Sequence, residues 1–192
     1  MNLIYGVAHS PKPGFAESGD FYVVEQTNRS ALIAVIDGLG HGGHGAAAAR
    51  AAGEALRKHA HDTPLALMQR CHQALNGTRG AVMSIARLEN GEMTWLGVGN
   101  VEGVLLRADL RLTRERLLLR GGVVGYRMPP LRAFCVPLTA GDTLLFVTDG
   151  IKSAFLEDLP AADNPQAVAD DVLARHNRQT DDALVLVARY QP

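Results

Sequence analysis

At 192 residues the chain is long enough for one domain, residues 1–192, that buries roughly 70% of its unfolded surface. Its 47% hydrophobic and 20% charged residues exclude wholesale disorder. A formal net charge of −1 gives no electrostatic footprint for a nucleic-acid groove or an anionic membrane as partner.

No apolar run approaches the ~20 residues that span a bilayer, and Met1-Asn2-Leu3-Ile4-Tyr5 lacks the basic start and apolar core of a signal peptide. Cys71 and Cys135 are far apart in apolar surroundings and read as reduced core residues rather than a disulfide framework. The expected compartment is the cytoplasm.

In chain order, Leu3 to Ala8 reads as a first strand and Phe21-Tyr22-Val23-Val24 as a second, after the break His9–Gly14. Thr27-Asn28-Arg29-Ser30 turns the chain into a third, Ala31–Ile36, and so short a connection predicts an antiparallel pair. Asp20 then starts one strand and Asp37 ends its neighbour, so the two acids lie side by side. Five glycines follow between Gly38 and Gly45. A buried strand that delivers an acid to such a corner approaches something small, a metal or a phosphate.

From about Gly45 to Ala60, Ala48, Ala51, Ala52, Ala55 and Leu56 follow helical spacing. Thr63-Pro64 caps a second helix running to about Leu75, with Leu65, Met68, Cys71 and Leu75 inward. Strands Ala81–Leu88 and Glu92–Val98 flank the hairpin signal Asn90-Gly91. Gly103–Arg107 and Leu112–Leu119 form a further expected pair. Arg111, Arg114, Arg116, Arg120, Arg127 and Arg132 gather in this region and read as a solvated loop and strand face. Strands Ala133–Val136 and Thr143–Val147 come next, then a short helix Ile151–Leu156. A last helix starts at Asn164-Pro165 with Val168, Ala169, Val172 and Leu173 buried, and the strand Leu184–Arg189 closes the chain. Hairpins with helices inserted in pairs describe an α+β layered fold, not alternating βαβ units.

Acids recur at the strand tips: Asp20, Asp37, Asp149, Asp181 and Asp182. Brought together they repel one another unless cations neutralise them. Hard oxygen donors without cysteine suit Mg²⁺ or Mn²⁺. Two such ions about 3.5–4 Å apart would supply a nucleophile for in-line phosphoryl transfer. Two rivals exist. Gly40, Gly42 and Gly45 fit G-x-G-x-x-G between a strand and a helix, but the strand ends in an acid and the helix is followed by another helix. A zinc site on His41 and His44 lacks a third soft ligand nearby. His59, His61, His72 and His176 read as surface or packed histidines.

Ser18-Gly19-Asp20, Val35–Gly42, Val147-Thr148-Asp149-Gly150 and Thr180-Asp181-Asp182 resemble, in order, the acidic motifs of the metal-dependent protein phosphatase (PPM) family, in its bacterial SpoIIE-like branch. Gly141–Leu145 and Gly97-Val98-Gly99-Asn100 strengthen the likeness, and the short chain is similar to stand-alone stressosome phosphatases of that branch. The resemblance implies a four-layer αββα sandwich of two antiparallel sheets flanked by helix pairs. It implies that Asp37 bridges two Mn²⁺ or Mg²⁺ ions, that the Gly38 carbonyl, Asp149 and Asp181 are further ligands, and that Asp20 acts through metal-bound water. Asp182 would orient Asp181. Where larger members hold phosphate with an arginine ahead of the first acid, Lys12 stands here. Where they follow Asp-Gly with histidine, Leu39 stands here and His41 comes two residues later, leaving His41 or a metal-bound water as the proton donor. The implied activity is removal of phosphate from phosphoserine or phosphothreonine of the stressosome scaffold and its STAS-domain partner, by a monomer. The alternatives are action on an anti-sigma-factor antagonist, or a catalytically silent binding module. Gly121–Pro130, with Arg127, is the expected substrate-docking loop.

Overall fold

The computed structural model describes residues 2–40, 42–159 and 164–191. Two sheets lie face to face. One has the order β1-β11-β10-β6-β7, built from β1 (Asn2–Ser10), β6 (Glu102–Leu106), β7 (Glu115–Arg116), β10 (Thr143–Val147) and β11 (Ala183–Gln191). The other has the order β2-β3-β4-β5-β8, from β2 (Asp20–Gln26), β3 (Ser30–Gly38), β4 (Ala81–Glu89), β5 (Glu92–Val98) and β8 (Leu119–Arg120), with β9 (Phe134–Pro137) also paired to β5. Helices α1 (Gly43–Lys58) and α2 (Pro64–Ala74) cover the second sheet, and α3 (Pro165–His176) covers β1 and β11 of the first. This is the expected αββα order of layers.

Side-chain alternation explains the stacking. In β3, Ile33 and Val35 join Trp95, Phe146 and Leu186 between the sheets, whereas Leu32, Ala34 and Ile36 face α1 and α2 with Leu56, Leu67 and Met68. Along β11, Leu184, Leu186 and Ala188 point between the sheets and Val185 and Val187 toward α3, where Val168, Ala169 and Val172 pack. Because both faces of these strands are buried, they read as continuous apolar runs. Each fully buried large side chain contributes roughly 1.5–3 kcal/mol.

Local signals held. Thr63 accepts a hydrogen bond from Ala66 N–H and Asn164 from Gln166 N–H, each ahead of a proline in the first turn. Asn90 and Gly91 both have positive φ, 53° and 77°, as a type I′ hairpin between β4 and β5 requires. Among the described residues no helix is long and apolar enough to cross a membrane.

Five expectations need correction. Leu65 is 38% exposed, because the inward stripe of α2 runs through Pro64, Leu67, Met68 and Cys71 and Leu65 lies about 100° off it. Leu112–Leu119 is not one strand: only Glu115–Arg116 pairs with β6, and Leu119–Arg120 crosses to the other sheet, parallel to β5. The Arg107 guanidinium holds this break by pairing with both Glu115 and buried Asp142. Cys135 is not a core residue: Phe134–Pro137 pairs with β5 and leaves it exposed. The expected helix Ile151–Leu156 is a 3₁₀ turn, Ser153–Glu157. The layer on the first sheet is thus α3 with that turn, not a pair of α-helices among the described residues.

Candidate metal centre

The β2–β3 register sets Asp20 directly opposite Asp37. Tyr22 and Val24 of β2 pack into the inter-sheet core, as do Ile33 and Val35 of β3. Asp20 and Asp37 continue those two alternating series, so both acids stand at the open end of the layer between the sheets. The facing sheet follows the same rule. Leu144 and Phe146 point inward on β10 and Thr148 comes next in the series; Leu184 and Leu186 do so on β11, and Asp182 precedes them. Alternation over four strands therefore delivers four polar side chains, Asp20, Asp37, Thr148 and Asp182, from both sheets, to one end.

The contacts there are specific. The Thr148 hydroxyl donates to Asp20 Oδ2 at 2.7 Å and accepts from Leu184 N–H at 2.8 Å. Asp20 is 8% exposed and lies behind the pocket. In front, a pocket of about 470 Å³ is lined by Asp37, Gly38, Asp149, Asp181 and Asp182, with Leu39, Gly40, Gly99, Asn100 and Gly121 among its other walls. Asn100 Nδ2 donates to Asp149 Oδ2 at 2.7 Å and fixes that carboxylate. Asp182 does more than orient its neighbour. Its backbone N–H donates to Asp181 Oδ1, and its own carboxylate accepts from Lys12 N–H at 2.8 Å and Gly19 N–H at 2.9 Å. It ties down the loop that carries Asp20. Lys12 lies at the site, with Nζ 4.0 Å from Asp181 Oδ1.

The glycines close the corner on itself. A Cβ on Gly38 would sit 2.1 Å from Gly45 O, and one on Gly45 would sit 2.2 Å from Gly40 O. Asp37 ends the strand at this corner, where it would face a pyrophosphate, and α1 is followed by α2 without an intervening strand. The dinucleotide reading therefore fails on geometry. His44 is exposed in the first turn of α1, so the zinc reading gains no support. His41 lies outside the described residues. Arg127 lines a neighbouring cavity of about 630 Å³ with Gly122 and Pro129; Gly121 is common to both hollows. The expected docking loop thus borders the acidic pocket, with Arg127 beside it rather than in it.

Electrostatics state what the site lacks. Burial, and then repulsion from Asp149, Asp181 and Asp182, pushes the Asp37 carboxyl up to about 7. Burial and then Asp37 raise Asp20 well above the usual carboxylate range, opposed by the Thr148 hydrogen bond. Asp149 is raised by burial and then Asp181, against the Asn100 donor and Arg178. Such a cluster takes up either protons or cations. Its donors are carboxylates and backbone carbonyls, which match Mg²⁺ or Mn²⁺. Among the described residues no three acid, imidazole or thiol groups are drawn together into a finished cage; the acids line a wall that ions and their waters would complete.

Thr148, Asn100 and the tethering role of Asp182 were not assigned from sequence. The first two lie inside the quoted motifs, Thr148 next to Asp149 and Asn100 closing Gly97-Val98-Gly99-Asn100; their partners are 128 and 49 residues away.

Comparison with known proteins places the chain. The family model described as stage II sporulation protein E (SpoIIE) matches residues 27–191. Phosphoserine phosphatase RsbX of Bacillus subtilis (strain 168) is 30% identical over 96 residues, 49% of this chain. That match spans 48% of RsbX, about half the length of the curated relative. A structure from work on the bacterial stressosome as a modular system controlling secondary messenger signalling is 28% identical, with a TM-score of 0.89 over 98% of this chain and 100% of that one. RsbX in complex with magnesium has the same TM-score at 20% identity, over 98% and 96% of the two chains, and shares the fold.

Proposed function

This chain belongs to the SpoIIE family of PP2C-type phosphatase domains, and from that premise we propose that it is a divalent-metal-dependent phosphoserine/phosphothreonine protein phosphatase of the cytoplasm. Its substrates are the phosphorylated stressosome scaffold and its STAS-domain partner. The observation that carries the reading is the convergence of Asp37, Asp149, Asp181 and Asp182 on one pocket, with Asp20 buried behind Asp37. RsbX, a phosphoserine phosphatase, and the stressosome-related neighbour support the substrate class.

In this reading Asp37, the Gly38 carbonyl, Asp149 and Asp181 hold two Mn²⁺ or Mg²⁺ ions. Bound there, the ions supply Lewis-acid stabilisation of phosphoryl charge and a nucleophile at neutral pH. Water oxygen bonds to phosphorus as the bond from phosphorus to the serine or threonine oxygen breaks, giving inorganic phosphate and the free hydroxyl. Asn100 holds the Asp149 rotamer and Thr148 holds Asp20. These supports keep the acids within the narrow tolerance that in-line transfer demands. His41 is proposed to protonate the leaving oxygen.

The test is release of phosphate from p-nitrophenyl phosphate and from phosphorylated stressosome proteins, with Mn²⁺ and with a chelator. Turnover that needs the ion and is abolished in Asp37→Asn is expected. Absence of any metal-dependent turnover on both substrates would mean a silent binding module.

A further inference from the structure

We propose that Arg79 is the residue that positions the substrate's phosphoryl group at the lip of the acidic pocket; this rests on the phosphatase reading. The pocket walls carry Asp37, Asp149, Asp181 and Asp182, a set that by itself repels a phosphate ester. Lys12 is turned to Asp181, and Arg127 belongs to the neighbouring hollow.

Arg79 lies against the pocket wall from outside. Its guanidinium packs on Gly40, where an added Cβ would meet Nη1 at 3.0 Å, Cδ at 3.2 Å and Cζ at 3.7 Å. Gly40, at φ +110°, is itself a wall of the pocket. The glycine, lacking a Cβ, leaves the room that the Arg79 side chain occupies there. Among the described residues no carboxylate lies within ion-pair distance of Arg79, and its side chain is exposed.

The loop that presents Arg79 is pinned on both sides. Thr78 Oγ1 donates to Leu75 O and accepts from Gly80 N–H. The Gly80 carbonyl accepts from Leu39 N–H at 3.0 Å, joining the loop to the residue after Asp37-Gly38. Gly80 is at φ +84°, and a Cβ there would sit 2.6 Å from Val124 O. Arg79 is thus a planar, permanently charged donor, held against Gly40 at the pocket wall and not spent on an ion pair. That is the arrangement for forked recognition of phosphate oxygens.

The experiment compares wild type, Arg79→Ala, Arg79→Lys and the control Arg29→Gln, whose arginine is at the opposite end of the β2–β3 hairpin. In the Mn²⁺-loaded proteins one measures kcat and KM for p-nitrophenyl phosphate, inhibition by inorganic phosphate, and the shift of melting temperature with inorganic phosphate. Mn²⁺ affinity is measured by calorimetry. For Arg79→Ala we expect KM and the phosphate inhibition constant to rise together by about tenfold. The phosphate-induced melting shift should be lost, while the phosphate-free melting temperature and Mn²⁺ affinity stay at wild-type values. Arg79→Lys should recover part of the loss, since it keeps charge but not the fork. If Arg79→Ala matches Arg29→Gln in phosphate inhibition and melting shift, the proposal falls and the phosphatase reading stands. If wild type neither turns over nor binds phosphate, both fall.

Discussion

Removing the divalent ions should make stability fall as pH rises, and Asp37 sets the size of the effect. Metal-free, its carboxyl is pushed from 3.8 to about 7 by burial and by Asp149, Asp181 and Asp182. Between those values the folded chain binds the proton and the unfolded chain does not, so unfolding stability declines with pH across that window and the loss is complete above about 7. The shift corresponds to about 4 kcal/mol; Asp37 keeps some solvent contact, so about 2–4 kcal/mol is the working range. For a domain of this size that is roughly 5–15 °C of melting temperature. Asp20 and Asp149, also raised, act in the same direction. The assay is thermal or urea unfolding in chelator at pH 5 and pH 8 for wild type and Asp37→Asn. The variant, with no carboxyl to ionise, should gain on wild type by about 1–3 kcal/mol between the two pH values, the part of the loss that falls above pH 5, and Mn²⁺ should rescue only wild type at pH 8. A wild-type-minus-variant difference that does not change with pH would refute the reasoning that burial and mutual repulsion hold the Asp37 proton.

Thr148→Val removes the donor to Asp20 and the acceptor for Leu184 N–H. It should cost about 1–3 kcal/mol in urea unfolding and slow turnover about tenfold or more; because that hydrogen bond lowers the Asp20 pKa, the acid limb of the pH–rate profile should move to higher pH. Gly38→Ala forces a Cβ to within 2.1 Å of Gly45 O, so it should destabilise by about 1–3 kcal/mol and weaken Mn²⁺ binding in calorimetry. His41→Ala should slow phosphoserine hydrolysis at least about tenfold more than p-nitrophenyl phosphate hydrolysis, because only the serine leaving group needs a proton; equal losses would remove His41 from that role. Exchanging residues 121–130 for the segment of a relative should change which phosphoprotein is cleaved and leave the aryl phosphate rate unaffected.

Much of the architecture was legible because the signals were local. The apolar runs of β3 and β4, the Asn90-Gly91 turn and the caps Thr63 and Asn164 need no distant partner to be read. The site was legible for a related reason: each acid sits in or next to the alternating inward series of its own strand. What resisted reading lies between Arg107 and Pro137. There the pairings are two to four residues long and are decided by Arg107 meeting Asp142, 35 residues on, and by Leu119 reaching β5. Periodicity over so few residues carries no sheet assignment. Asp182 escaped for a different reason. Its partners, the amides of Lys12 and Gly19, are 170 and 163 residues distant, and an acid receiving backbone amides has no sequence signature beyond its own presence.

Asp20 and Asp37 ride on one sheet; Thr148, Asp149, Asp181 and Asp182 are borne by the other. The two slabs meet through buried apolar side chains, which attract without direction, and at this rim they share the acids. Dications seated across the seam would rivet the slabs as well as serve the reaction.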